Sequence, residues 1–436
     1  MKKVLILTYY WPPSGGAGVQ RWLKFVKYLQ EFGWEPIVYT AENGEMPEYD
    51  ESLLNDIPKT VTVLKTPIWE PYTAYKTLIG QKKNQKINAA FLNESKKTSP
   101  FNNLAIWVRG NFFIPDARKF WIKPSIVYLL NYLSKHKVDA IISSGPPHSM
   151  HLIANGLKQK HPNIKWVADF RDPWTNIDFY SDLKLTSMAD AKHKRLEKEV
   201  LANSDCVISI GESLSDELEK INSNRRQTSK FRVITNGYDE DDLLKTAIEK
   251  DKKFSIAHIG TLVKSRNPEG LWQVLKELIT ENEDFKNNLE IKLVGKLDIS
   301  VKENIATYGL TSYVRKIDYL EHNKVIEEQQ KSTINLLLVN QTQNAKGILT
   351  GKFFEYLSAG APILAIGPTD GDLAQILTQT QAGFISDFKD VEGLKKNILY
   401  LFKNQTIKRN EEEIKKYSRK NLTKKLTEIL NELTNN

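Results

Sequence analysis

Short apolar runs alternate with amphipathic stretches along most of this chain. The first run, Val4–Thr8, is followed by apolar residues at helical spacing and then by a second run, Ile37–Thr40. A strand, a helix and a second strand in this order form a βαβ unit, whose two strands are parallel. The alternation therefore predicts an α/β fold with parallel, doubly wound sheets.

The alternation occurs in two series, and 436 residues are too many for one ordinary core. Turn residues at Asn236–Asp239 separate the two series and predict a hinge. We therefore predict a Rossmann-like domain over 1–238, a second one over 239–410 and an amphipathic terminal helix over 411–436. Further strands are predicted at 138–143, 164–168, 206–210, 255–259, 290–294, 314–317, 334–339, 363–366 and 383–385.

Composition limits the class of protein and its partners. The net charge of +9 suits phosphorylated ligands, an anionic membrane surface or nucleic acid, and does not choose among them. The single cysteine, Cys206, excludes an intramolecular disulfide and a cysteine-rich zinc site. The apolar start leads into Trp11-Pro-Pro rather than a cleavage site, and no apolar run approaches the ~18 residues of a membrane span. We therefore predict a cytoplasmic protein.

One stretch, residues 69–123, departs from the alternation and is rich in lysine and aromatic residues. Such a surface suits the headgroup layer of an anionic membrane, which predicts peripheral association with the inner face of the plasma membrane. The alternative is an insertion whose aromatic residues pack on the domain while its lysines are solvated. The residues concerned include Lys82, Lys83, Lys86, Lys96, Lys97, Trp107, Phe112, Phe113, Phe120, Trp121 and Lys123.

A glycine-rich loop follows the first predicted strand. Gly15, Gly16 and Gly18 lie where the chain leaves the carboxyl edge of the sheet and enters a helix, the usual ligand position in open α/β sheets. The spacing does not match G-x-G-x-x-G, so a dinucleotide dehydrogenase is disfavoured.

A second candidate binding segment runs from Gly347 into a predicted helix. Gly347, Thr350 and Gly351 form a loop ahead of the helix, where free N–H groups and the helix dipole favour a phosphate. Lys352 adds a positive charge, and Glu355 can accept two hydroxyl protons of a ribose. The alternative is an ordinary loop-helix-strand crossover with a solvated lysine.

A second cation follows the first strand of the second series, where Arg266 lies behind Gly260 and Thr261. Two domains facing across a cleft could direct Arg266, Lys352 and the first glycine loop at one diphosphate. Two cations and backbone N–H groups can neutralise such a leaving group without a metal. The arrangement favours transfer from a nucleotide-diphosphate donor, with no metal or other cofactor.

Together these motifs resemble the family-4 retaining glycosyltransferases of the GT-B fold. The resemblance spans nearly the whole chain and is weakest over about 45–125. It is carried by the first glycine loop, Asn236-Gly-Tyr-Asp239, Gly260-Thr-Leu with Arg266, Lys352-Phe-Phe-Glu-Tyr and Gly360-Ala-Pro-Ile.

The resemblance implies a function and several residue roles. The reaction would be hexosyl transfer with retention to a hydroxyl of a glycan or lipid-linked acceptor of the cell envelope. The departing phosphate oxygen would take the acceptor's proton. Gly16 would lie near the donor phosphates, Arg266 would replace the family's basic phosphate residues, and Glu355 would hold the ribose. The terminal helix would cross back onto the first domain.

Two departures from the family pattern concern the sugar. The first glutamate of E-x7-E falls at Gly347, and the family's usual histidine corresponds to the region of Arg171. Arg171 and its neighbours then become candidates for binding sugar and acceptor. We expect Asp172 and His148, with Arg266 and Lys352, to be catalytic, and Asp169, Arg171 and His151 to bind acceptor or sugar.

Each of these candidates also has a structural interpretation. The histidines could bond to local backbone at a helix start, Asp169 or Asp172 could pair with Arg171, and Arg266 could be solvated. Asp370-Gly-Asp372 imitates a metal-binding D-x-D but follows a strand of the second series, which indicates a turn.

Two other functions fit the same sequence. A nucleotide-sugar 2-epimerase shares the fold, and would form its product with no acceptor present. A non-catalytic glycan-binding protein is the rival from another class. Nucleic acid is disfavoured as a partner because the positive charge is spread along the chain and no recognised module is visible.

Overall fold

The computed structural model of the chain describes residues 1–46, 48–71, 100–222, 230–243, 248–318, 320–404 and 406–435. The chain forms two compact units. Met1–Thr235 together with Leu422–Asn436 makes the first unit, and Asn236–Asn421 makes the second.

The first unit contains one parallel sheet of seven strands. In chain order they are β1 (Lys2–Leu7), β2 (Trp34–Ala41), β3 (Thr62–Thr66), β4 (Ala140–Gly145), β5 (Lys165–Phe170), β6 (Cys206–Ser209) and β7 (Phe231–Val233). Their order in the sheet is β3-β2-β1-β4-β5-β6-β7. The strand order reverses between β1 and β4, so the loops after these strands diverge at the carboxyl edge and leave a crevice for a ligand.

Helices cover both faces of this sheet. They are α1 (Ala17–Leu29), α2 (Pro100–Phe112), α3 (Lys119–Leu133), α4 (Ser149–Lys160), α5 (Ser187–Asn203) and α6 (Glu212–Asn222). Successive side chains of β1 enter opposite cores: Val4 and Ile6 pack on the α1 side, and Leu5 and Leu7 on the α4 side. Burial on both faces explains why the strand is an unbroken apolar run.

The second unit repeats this plan with six strands. They are β8 (Phe254–Ile259), β9 (Leu289–Val294), β10 (Val314–Ile317), β11 (Ile334–Leu338), β12 (Ile363–Ile366) and β13 (Gly383–Ser386), in the order β10-β9-β8-β11-β12-β13. Its helices are α7 (Glu269–Glu281), α8 (Glu283–Asn288), α9 (Ile299–Thr307), α10 (His322–Lys331), α11 (Gly351–Ala359), α12 (Asp372–Thr380), α13 (Val391–Asn404) and α14 (Glu411–Lys415). The order reverses between β8 and β11, so this edge is the expected ligand position.

The last helix, α15 (Arg419–Asn435), belongs to the first unit. Its buried Leu422, Leu426 and Leu430 pack in the same core as Val4 and Ile6. This confirms that the chain crosses back to the first domain. The single helix predicted over 411–436 is wrong in its extent, because the separate helix α14 buries Ile414 in the second unit.

The α/β class with two doubly wound Rossmann-like domains is confirmed. Two strands were missed: β3 is a half-exposed edge strand, and β7 is only three residues long. Within the basic and aromatic stretch, the lysines at 82, 83, 86, 96 and 97 lie outside the described residues. Trp121 is buried and stacks on Tyr39 with ring centroids 5.1 Å apart, so this aromatic residue packs on the domain, as the alternative interpretation expects.

Candidate functional site

Helix α11 is fastened to the carboxyl end of β8, beside the switch point of the second sheet. The buried hydroxyl of Tyr356 accepts the N–H of Ile259 at 3.2 Å. Gly260 follows with a φ of +124°, a conformation that other residues rarely adopt. A Cβ at Gly260 would collide with the Lys352 ammonium. Glycine here therefore allows Lys352, from the first turn of α11, to lie over the backbone at this edge.

Lys352 and Arg266 are two half-buried cations close enough to interact, and neither forms an ion pair with a described carboxylate. Burial and the nearby Arg266 lower the pKa of Lys352 to about 8, and Glu355 opposes this only in part. Burial also lowers the pKa of Arg266, whose Nε has no hydrogen-bond partner. Neither cation makes an ion pair within the described ranges. Two such charges held together favour an anionic ligand such as a phosphate or diphosphate.

The amino end of α11 adds uncharged donors beside these cations. Thr350 is the N-cap residue, but it makes no capping hydrogen bond, and its buried Oγ1 has no partner. The N–H groups of Gly351 and Lys352 donate to no acceptor in the described part of the chain. Free N–H groups at a helix start bind anions. Gly347, in contrast, already donates its N–H to the Asn344 carbonyl at 3.0 Å, so that amide is not free for a ligand.

Glu355 lies one turn beyond Lys352 and is held by a buried amide. Gln329 of α10, only 1% exposed, donates from Nε2 to Glu355 Oε2 at 3.1 Å. The buried Asn335 in turn donates to the Gln329 backbone carbonyl at 3.1 Å. One carboxylate oxygen is therefore fixed from inside the unit, and Oε1 remains to accept from a ligand.

His258 and Thr261 complete the surroundings of the two cations. His258 is buried, and burial together with the charge of Lys352 lowers its pKa to about 3. The neutral ring adds no charge to the site. Thr261 is half-buried directly after Gly260, at the same edge of the sheet.

The two aspartates of Asp370-Gly-Asp372 do not form a metal pair. Asp370 is exposed and pairs with Lys346, while Asp372 is the first residue of α12. The turn interpretation agrees with these positions. Across the residues that the structure describes, no group of three or more histidine, cysteine or acidic side chains is placed to hold a metal ion.

In the first unit, the glycine-rich loop leads into α1 at the corresponding edge of the sheet. Gly16 is the N-cap residue with a φ of +89° and makes no side-chain cap, and a Cβ there would meet nothing within 4 Å. The N–H groups of Gly16 and Gly18 donate to no described acceptor, whereas Gly15 donates to the Glu48 carbonyl at 3.0 Å. The loop is therefore open at Gly16 and presents free amides.

Arg171 holds two loops of this edge together. Its Nη1 donates to the Gly18 carbonyl at 2.9 Å and its Nη2 to the Pro146 carbonyl, while its buried Nε has no partner. Arg171 thus connects the glycine loop to the loop after β4. The Nε–H group is buried and has no hydrogen-bond acceptor in the described part of the chain.

Asp169 is enclosed inside the unit by three hydrogen-bond donors. It is fully buried and accepts from Arg21 at 2.8 Å, Trp22 at 2.8 Å and Ser144 at 2.9 Å. Burial alone would raise its pKa, but Arg21 holds that pKa below its usual value. Its ion-pair partner is Arg21, and Arg171 acts on it through its charge without forming an ion pair. Its role in acceptor or sugar binding stays a prediction. Asp169 fixes α1, and with it the glycine loop.

His148 and His151 are neutral rings packed side by side at the start of α4. Burial lowers the pKa of His148 well below its ordinary value and that of His151 to about 3. His148 stacks on Trp174 with centroids 4.5 Å apart, and His151 bonds through Nδ1 to Ser143 Oγ at 2.8 Å. A Cβ at Gly145 would lie within 3.0 Å of an unpartnered nitrogen of each ring. The two nitrogens therefore converge on one point of the backbone.

Asp172 is exposed beside Arg171, so it is accessible to a ligand.

The structure brings Lys352, Arg266, Thr350 and Glu355 together in the second unit. In the first unit it brings together the glycine loop, Arg171 and the two histidines. Sequence reasoning missed Gln329 and Asn335, because neither periodicity nor a local motif marks a buried amide that acts on a distant carboxylate.

Residues 239–421, nearly the whole second unit, match the family model described as "Glycosyl transferases group 1". No curated protein matches the sequence significantly. Within the described ranges, no helix is long and apolar enough to cross a bilayer.

Several solved structures resemble the chain over nearly its full length. Sucrose-phosphate synthase from Thermosynechococcus elongatus is 12% identical, with a TM-score of 0.63, covering 99% of this chain and 99% of that chain. WaaG, a glycosyltransferase involved in lipopolysaccharide biosynthesis, is 14% identical with a TM-score of 0.56, and the match covers 98% of this chain and 99% of WaaG. The lipopolysaccharide outer core galactosyltransferase WaaB is 11% identical with a TM-score of 0.59, and the match covers 99% of each chain. At such low identities the structural likeness shows a shared GT-B fold and no more.

Proposed function

We propose that this chain moves one sugar from a nucleotide-diphosphate sugar to a hydroxyl group, with retention and without a metal; the match of residues 239–421 to the family model of group 1 glycosyl transferases supports the transfer. The observation that carries the proposal is the two cations Lys352 and Arg266, neither in an ion pair, beside the free amides of α11. A departing diphosphate supplies the negative charge that this pair lacks.

The proposed reaction exchanges one bond at the anomeric carbon. The bond from that carbon to the β-phosphate oxygen breaks, and a bond to the acceptor oxygen forms on the same face. The acceptor's proton passes to the departing phosphate oxygen. Lys352 and Arg266 stabilise the charge that develops on the phosphate, and Glu355 binds the ribose through Oε1. The amides of Gly16 and Gly18 are further proposed phosphate contacts.

The proposed acceptor is a glycan or a lipid-linked glycan of the cell envelope, and the sugar a hexose. The similarity to WaaG and WaaB, whose names refer to lipopolysaccharide, supports a cell-envelope product. Arg171 Nε, the exposed Asp172 and the free nitrogens of His148 and His151 are the proposed groups for acceptor and sugar. A cytoplasmic protein attached to the inner face of the plasma membrane fits such an acceptor.

The test combines ligand screening with substitution. Nucleoside diphosphates and their sugar conjugates are screened by thermal shift, and a donor should raise the melting temperature. Glu355→Ala and Arg266→Ala should abolish turnover while each variant still unfolds in one cooperative thermal transition. Lys264→Ala, in the same loop as Arg266 but exposed, is the matched control and should keep full activity.

The rival functions give different results in the same assays. A 2-epimerase would convert the nucleotide-sugar in the absence of an acceptor, which product analysis detects. A glycan-binding protein would bind glycan but no nucleotide-sugar. Unchanged turnover in both Glu355→Ala and Arg266→Ala would reject the proposed transfer site.

A further inference from the structure

An exposed apolar surface lies on the outer side of α2 and α3 in the first unit. Six side chains form it, each between 37% and 69% exposed: Trp69, Leu104, Trp107, Phe112, Phe120 and Val127. We call these six residues the aromatic surface. Soluble proteins expose scattered apolar residues, but a contiguous group of large ones marks a binding face.

Ring contacts form two groups within the aromatic surface, and Lys119 lies between them. Lys119 connects its two helices, because its Nζ donates to the Phe112 carbonyl and lies 4.9 Å from the centre of the Phe120 ring. Val127 lies two turns beyond Phe120 on the same face of α3. The ring pairs are Trp69 with Phe120 at 5.1 Å, Phe113 with Phe120 at 6.0 Å and Trp107 with Phe112 at 5.6 Å.

The exposure does not come from a loosely attached helix. On its inner side α2 approaches the chain so closely that a Cβ at Gly110 would lie 2.6 Å from the Leu183 carbonyl oxygen. Four aromatic rings exposed by about half give on the order of 400 Å² of apolar area, which is within the range of patches that bind partners. The helix is therefore held in place with its apolar side outward.

Positive charge accompanies this apolar area. Residues 100–123 contain two arginines and two lysines but one acidic residue, Asp116. Arg118 is largely buried and paired with Glu70, so it adds no free charge to the surface. Asp116 is directed inward, where it accepts from the N–H and hydroxyl of Ser149. Lys119 lies among the rings, and burial together with nearby Lys192 lowers its pKa. The exposed Arg109 and Lys123 add further positive charge.

We propose that the aromatic surface docks on the headgroup layer of an anionic lipid bilayer. Tryptophan and phenylalanine side chains enter the interface while the lysine and arginine heads contact lipid phosphates. A protein partner is disfavoured, because lysine is depleted from the buried centre of protein interfaces and Lys119 lies at the centre here. Docking would place the enzyme on the membrane that carries a lipid-linked acceptor, and in that respect it rests on the proposed function.

The test measures binding of the full-length protein to vesicles without any donor or acceptor. Co-sedimentation is compared for vesicles of phosphatidylcholine alone and of equal parts phosphatidylcholine and phosphatidylglycerol. We expect binding to the anionic vesicles only, weakened by salt. Trp107→Ser with Phe112→Ser should reduce affinity at least about tenfold, because both rings leave the interface. Lys123→Glu should reduce it at least about fivefold.

Matched controls on the second unit distinguish binding by this surface from nonspecific binding to vesicles. Ile299→Ser with Tyr400→Ser removes two comparably exposed apolar groups, and Lys302→Glu reverses an exposed lysine. Both controls should bind vesicles like the wild type. The proposal would be overturned if the Trp107 and Phe112 variant bound anionic vesicles as tightly as the wild type, or if the wild type bound neutral and anionic vesicles equally. It would also be overturned if the wild type were a dimer that this variant dissociates. The affinity for a nucleoside diphosphate is measured in parallel, so that failure of the proposed donor site can be distinguished from failure of membrane docking.

Discussion

Donor binding should weaken as the pH rises through the pKa of Lys352, which is lowered to about 8. Only the ammonium form neutralises a phosphate, so the protonated fraction of the free protein scales the affinity. For a pKa of about 8, that fraction falls about tenfold between about pH 7 and about pH 9. We therefore expect the dissociation constant of a nucleoside diphosphate to rise about tenfold over this interval in isothermal titration calorimetry.

The same burial gives a substitution at Lys352 two effects of opposite sign. The folded pKa lies below the ordinary value of 10.5, so below about pH 8 the charged form destabilises the folded protein by about 3 kcal/mol. This penalty disappears as the pH rises from the folded value to the ordinary one. Lys352→Met keeps the chain length without the charge. The free protein should therefore melt about 5 °C higher near pH 7, while the donor-induced shift is lost.

Two further variants make the test of Lys352 specific. Lys352→Arg stays charged throughout, so its nucleotide affinity should remain constant between about pH 7 and about pH 9. Lys264→Met removes an exposed lysine of the Arg266 loop and should change neither affinity nor melting temperature. A wild-type affinity that stays flat over this pH interval, or a lower melting temperature for free Lys352→Met, would refute the reasoning.

Three other substitutions test the supports of the candidate sites. Gly260→Ala should abolish nucleotide binding in calorimetry, because a Cβ would displace the Lys352 ammonium and strain a backbone at φ +124°. Gln329→Met should weaken binding of a nucleoside diphosphate, since the amide positions Glu355, which is proposed to bind the ribose hydroxyls. Binding of the 2′,3′-dideoxy analogue, which lacks these hydroxyls, should not change. Equal weakening of both ligands would contradict this. Asp169→Asn should lower the free energy of unfolding in urea by about 3–5 kcal/mol, since a buried Arg21 loses its counter-charge; a loss under about 1 kcal/mol would contradict it.

Local pattern was enough to predict most of the two sheets. The unbroken apolar runs of β1 and β8 result from burial on both faces, a condition that the sequence records directly. Strands without that pattern were missed, as β3 and β7 show. The boundaries of the terminal helix were also misjudged, because Ile414 and Leu422 have the same periodicity but pack in different units.

The candidate site divides in the same way. Lys352, Arg266 and Glu355 follow strands in the sequence, and strand ends meet at one edge of a parallel sheet, so their grouping could be predicted. The sequence could not predict which carboxylate is free to bind a ligand, because Asp169 and Glu355 differ only in the residues that contact them. Arg21, Trp22 and Ser144 enclose the first, whereas Gln329 holds only one oxygen of the second.

Local periodicity and residue type were sufficient to predict the α/β class, the two-domain plan and the loops that carry charge and glycine. Which cations form no ion pair, and which aromatic side chains face outward, became known from the folded arrangement of the chain. Trp121 and Trp107 show the reason: they belong to one aromatic stretch, yet one stacks in the core and the other is exposed. Burial and pairing depend on residues distant in the chain, and no local pattern records them.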